Sequence, residues 1–149
     1  MTADALVQRR WVQGVLICAS WTVIAVFYTT QAGFQATYAG APFDWWRVLR
    51  TELVYSSLWV LLTLAITRID RRFPLDVEAW RKNALVHLGA SLVLSMLHPL
   101  VLVGLVRLVG WSRASMSFAD HSKVAVVGYF HINVTFYWGI MGVRYILSN

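Results

Sequence analysis

At 149 residues, 58% of them hydrophobic and only 13% charged, with a mean hydropathy of +0.59, the chain is too apolar for a soluble domain, where about a quarter of residues carry charge. The 13 Lys and Arg against 7 Asp and Glu stand in short runs at the ends of apolar stretches, which suits lipid headgroups and topology control and argues against nucleic acid as the partner. The length matches four spans of about 20 residues and leaves no room for a separate soluble enzyme.

The first charge-free stretch follows Arg10 and is strongly apolar to about Tyr28, which predicts a span over residues 11–30. Arg9 and Arg10 before an apolar run, with Ala39-Gly40-Ala41 downstream, also resemble a secretory leader. The run is longer than a leader's apolar core and more spans follow, so we read it as a membrane helix. Cys18, the single cysteine, lies inside it as a packing residue, so no internal disulfide or cysteine metal site is available. The second stretch has only 15 uncharged residues between Glu52 and Arg68. To cross a hydrocarbon core about 30 Å thick it must start earlier, giving 47–67, with Arg47 and Arg50 reaching back to headgroups.

The segment 68–82 holds Arg68, Arg71, Arg72, Arg81 and Lys82, with Pro74 breaking any continuous helix, and reads as a cytoplasmic loop. Residues 83–106 form the clearest span. Residues 124–143 form the fourth, interrupted by His131 and Asn133. Backbone groups in lipid must be satisfied within each segment, and the alternation that a barrel needs is absent, so all four are helices. Eight Lys and Arg flank the spans on one side and five on the other, which places both termini in the cytoplasm. The expected fold is all-α: an integral membrane antiparallel four-helix bundle, N-in and C-in, forming one transmembrane domain. Trp11, Trp45, Trp46, Trp80, Trp111 and Trp138 lie near predicted span ends, where an indole buries its ring and keeps its N–H wet, and they read as interfacial anchors.

No glycine-rich phosphate loop, nucleophile elbow, His-Glu-x-x-His or Cys pair is present, so no enzymatic activity is expected within these residues. Polar groups at membrane depth are the remaining candidates, because they are costly there and often functional. His98 lies eight residues before Arg107 and His131 eight after Lys123, so antiparallel helices place both about 12 Å below the same surface. A facing pair would suit haem or a quinone carrier, or a proton-sensitive switch, but ordinary interhelical hydrogen bonding is the favoured reading. No metal site and no cofactor is assigned, with His98 and His131 the only cofactor candidates. His87 shares a helix face with His98 three turns away and reads as interfacial, within reach of water. Pro99 removes a backbone donor and predicts a bend. Asn133 and Tyr137, at i,i+4 spacing, predict that the fourth helix packs inward or against another subunit.

Several of these segments together resemble the N-terminal membrane region of LytS/YehU-type bacterial sensor histidine kinases, in its four-span form. They are Trp21 in the first span, Pro42-Phe43-Asp44-Trp45-Trp46-Arg47 entering the second, and Arg71-Arg72-Phe73-Pro74-Leu75 followed by Trp80 and His87. Asn133, Tyr137-Trp138-Gly139 and Gly142-Val143 complete the set. The resemblance covers almost the whole chain. It implies a bacterial cytoplasmic membrane protein that senses a signal or holds a homodimer, its fourth helix relaying the signal toward a kinase core. That family's phosphoacceptor His-Phe-Leu-Phe-Asn and ATP-binding glycine motifs are absent, so no histidine here inherits the phosphoacceptor role. Either the chain is the sensor portion of a longer kinase, or it is a kinase-less relative. A non-catalytic structural subunit of a larger bacterial membrane complex is the alternative, and a bis-histidine haem or quinone protein the third reading. The partners expected are the bilayer and a second copy or other membrane subunits.

Overall fold

A computed structural model describes residues 3–75, 78–111 and 116–148. It is all-α, with no strand among the described residues: α1 (Ala3–Tyr38), α2 (Trp45–Arg72), α3 (Trp80–Leu108) and α4 (Phe118–Ser148). All four are long and apolar enough to cross a membrane, which fits a multi-pass membrane protein. Each helix outruns its expected span, because hydropathy marks only the length matched to hydrocarbon while charged residues at the ends stay helical. Arg68, Arg71 and Arg72 are the last turns of α2, and Arg81 and Lys82 the first of α3, so the expected loop 68–82 contracts to residues 73–79.

The helix ends follow local chemistry. The Asp44 carboxylate accepts from the Arg47 amide at 3.0 Å and starts α2. The Ser117 hydroxyl accepts from the Asp120 amide at 3.1 Å and donates to that residue's carboxylate at 2.6 Å, a reciprocal cap for α4. After α1 and α3 the chain turns through Gly40 (φ 62°) and Gly110 (φ 73°), left-handed positions that suit glycine. Beyond them the amides of Ala41 and Trp111 return to the carbonyls of Ala36 and Val106, both at 2.9 Å.

The chain divides into two compact units, Met1–Val60 and Leu61–Asn149. In the first, Trp21, Ala25, Thr29 and Gly33 form a buried row at four-residue steps on α1, and α2 contributes Tyr55, Ser56 and Trp59. Trp21 stacks on Trp59 with centroids 5.2 Å apart and planes 17° from parallel. The Trp45 indole lies against Gly33 so closely that a methyl group there would overlap it. In the second unit, α3 and α4 run antiparallel along their length. Their outward positions are apolar, as with Leu85, Leu92 and Val93 on α3 and Val124, Val127 and Val143 on α4, whereas many inward ones are polar. That distribution inverts the one water imposes, and it fits hydrocarbon as the surrounding solvent.

Candidate functional site

The polar interior of the second unit is a seam between α3 and α4. Asn83, His87, Ser91 and Ser95 stand four residues apart on α3, His98 follows three further on, and all five are buried. Steps of three and four keep them on one helix face. The facing row on α4 includes Ser122, Ala125, Asn133, Tyr137 and Met141, all buried.

At the end of the seam near residues 73–79, two side chains of α3 receive the carbonyls that follow α2. Asn83 Nδ2 donates to Pro74 O at 2.6 Å. His87 Nε2 lies 2.9 Å from Phe73 O. A carbonyl can only accept, so Nε2 carries a proton, and in the neutral ring Nδ1 accepts from the Tyr137 hydroxyl 2.8 Å away. His87 therefore ties the 73–79 connection to α4 through one ring. The Tyr137 and Trp138 rings pack 6.0 and 6.4 Å from the imidazole. One to two turns further along α4, Arg144 grips a single carboxylate oxygen of Asp70 through Nε at 2.7 Å and a terminal nitrogen at 2.6 Å, both side chains being largely sheltered. Asp70, in the last turn of α2, thus holds α4 directly.

In mid-seam the geometry turns on Pro99, which sits inside α3 without an amide proton. The carbonyl that would have received that proton belongs to Ser95, four residues earlier. Asn133 Nδ2 donates to it across the helix pair at 3.3 Å. The same amide nitrogen approaches His98 Nδ1 at 3.5 Å. Asn133 therefore replaces from α4 the hydrogen bond that proline removes from α3. The helix runs through Pro99 to Leu108.

His87, His98, Pro99, Asn133 and Tyr137 thus all belong to the seam, while His131 does not. It is exposed on the opposite side of α4. Asn133 lies two residues on, a rotation of about 200°, so a helix that turns Asn133 toward His98 turns His131 away. His98 and His131 therefore do not form a facing pair. His87, expected within reach of water, is instead fully buried, with the Phe73 carbonyl and the Tyr137 hydroxyl on its two ring nitrogens. Among the expected anchors, Trp11, Trp45, Trp46 and Trp80 are more than half exposed and Trp111 and Trp138 partly so. Asn83, Ser91 and Ser95 escaped the sequence reading, although their four-residue spacing with His87 was a signal that could have found them. Asp70, Phe73 and Arg144 carried no such signal. Among the described residues no three His, Cys, Asp or Glu side chains converge. Comparison with family models, curated proteins and solved structures finds no match.

Proposed function

We propose that the chain is a membrane-embedded sensory and dimerisation module of the bacterial cytoplasmic membrane, N-in and C-in, that relays a signal through α4 as LytS/YehU-type sensor histidine kinases do. The observation that carries this reading is the succession of ties on α4, from Asn133 through Tyr137 to Arg144, which link it to α3, through His87 to the Phe73 carbonyl, and to the end of α2. A signal that repacks any of these elements acts on α4 near its cytoplasmic exit. Such a relay needs two packings of similar energy that the signal binds differently, and single interhelical hydrogen bonds of about 1 kcal/mol are small enough to be exchanged. Dimerisation is supported by the outward row Gly128, His131, Thr135, Gly139 and Gly142, whose small residues admit close helix approach and whose imidazole seeks a partner in lipid.

A Cys18→Ser, Ile146→Cys chain in native membranes tests both parts. Copies are expected to crosslink at position 146, with a yield changed by about threefold or more when Asp70→Asn or Asn133→Leu loosens the seam. Equal yields in all three backgrounds reject the relay. No crosslink at 146 or at neighbouring outward positions rejects the dimer, and stoichiometric co-purification with a different protein then favours the structural-subunit reading, for which the same outward row would be the docking face.

A further inference from the structure

The first unit has polar groups of its own, and the seam makes no use of them. On α2, Glu52, Ser56 and Trp59 follow at steps of four and three, so they share the face that meets α1. The stack of Trp21 on Trp59 and the contact of Gly33 with the Trp45 ring fix the register of the two helices, and between those points Ala25 and Thr29 of α1 pass the level of Glu52. Glu52 stands about 10 Å in from Trp45, at a depth where a carboxylate is costly. It is half-buried, and among the described residues no ion pair includes it. Arg50, two positions earlier, is turned about 200° round the helix, and its Nε donates to the Trp46 carbonyl at 3.2 Å. The hydroxyls of Thr51 and Ser57 each donate to the carbonyl four residues back, at 3.0 and 2.7 Å, whereas the Ser56 hydroxyl, on a residue 3% exposed, has no hydrogen-bond partner. The Thr29 hydroxyl gives its proton to the Ala25 carbonyl at 2.8 Å, so its oxygen is left to act through its lone pairs.

We propose that Glu52, Ser56 and Thr29 bind a sodium ion between α1 and α2. Every donor is a hard oxygen, which excludes ions that seek nitrogen or sulfur. The single carboxylate balances a single positive charge, and a divalent ion would keep a net charge buried in hydrocarbon. Trp21, Ala25, Tyr55 and Trp59 close around the place and are all buried, which leaves no room for an organic ammonium and favours a small ion over potassium. A proton on the carboxyl reaches one hydroxyl at most, whereas the ion gathers both and gives the Ser56 oxygen its partner. The ion thereby joins the two helices at a level where the indole stack does not reach. The site does not depend on the sensory reading.

The test heats the full chain in detergent micelles, followed by circular dichroism, in sodium, potassium or choline chloride at equal ionic strength. Sodium at about 100 mM is expected to raise the thermal midpoint by about 4 °C above choline, and potassium by less than half of that. Glu52→Gln and Ser56→Ala are each expected to lose most of the sodium shift while keeping the parent's helicity in choline. A proton competes for the carboxylate, so the half-effective sodium concentration should rise about tenfold per pH unit in the acid range. The other titratable groups beside the site, Tyr28 on α1 and Tyr55 on α2, are phenols and carry no charge there. Equal midpoints in the three salts, equal shifts with sodium and potassium, or a full sodium shift in either variant would each overturn the site, and a midpoint that follows pH but not sodium would make Glu52 a proton site only. None of these measurements bears on the α4 relay.

Discussion

In the first unit Trp21 lies nearly flat on Trp59 and Gly33 gives way to the Trp45 ring, so its helices are held by close contact between flat or small groups. In the second unit the contact between α3 and α4 is written in hydrogen bonds, from His87 with Tyr137 to Asn133 with the Ser95 carbonyl. Lipid tails are as apolar as leucine, so burying another methyl group gains little between membrane helices, and both solutions avoid relying on it. They differ in what they permit. A stack of indoles degrades steadily as it is pulled apart, whereas a set of directional bonds to specific atoms can exchange one arrangement for another. The seam therefore suits a moving part and the indole stack a fixed one.

Breaking the fixed part should have the largest effect. Trp59→Ala removes a fully buried ring and half of the stack, and is expected to destabilise the chain by about 3 kcal/mol, read as a lower denaturant midpoint in detergent micelles followed by circular dichroism. The seam offers a sharper probe, because its central bond has a stated cause. Asn133→Leu should cost about 2 kcal/mol, since it strands the Ser95 carbonyl and removes one contact of His98. In a Pro99→Ala background α3 regains its own donor to Ser95 O, so the same substitution should cost about 1 kcal/mol less. Equal costs in the two backgrounds would mean that Asn133 does not stand in for the missing amide. The smallest effect belongs to the rim: Asp70→Asn or Arg144→Gln should cost no more than about 1 kcal/mol, because water still reaches the pair, and the charge swap Asp70→Arg with Arg144→Asp should recover part of it.

The four helices were legible because each must carry a long apolar run, and their order along the chain leaves the connections short. Their true ends were not, because Arg68 to Arg72 and Trp80 to Lys82 read as loop by charge and fold as helix by local hydrogen bonding. Depth was legible for His98 and His131 from the rise per residue, but facing depends on rotation, and a two-residue offset from Asn133 carries His131 to the far side. The inward role of Asn133 and Tyr137 followed from their spacing. What they meet did not, because Phe73 and Ser95 take part through backbone carbonyls that every residue possesses. The bond between Asp70 and Arg144 joins residues 74 positions apart, a distance at which charge pairing leaves no periodic trace.

The proline in α3 bears finally on how the protein is made. Until α4 arrives, α3 carries a carbonyl at Ser95 with no donor of its own, and an unsatisfied backbone group in hydrocarbon costs several kcal/mol. Asn133 likewise brings an amide that lipid cannot satisfy. Each helix is thus a poor solitary guest in the bilayer and a good one beside the other, which favours their leaving the insertion machinery as a hairpin. Chains truncated in the 109–117 connection should accordingly integrate α3 less efficiently than the full chain does, and Pro99→Ala should remove that dependence.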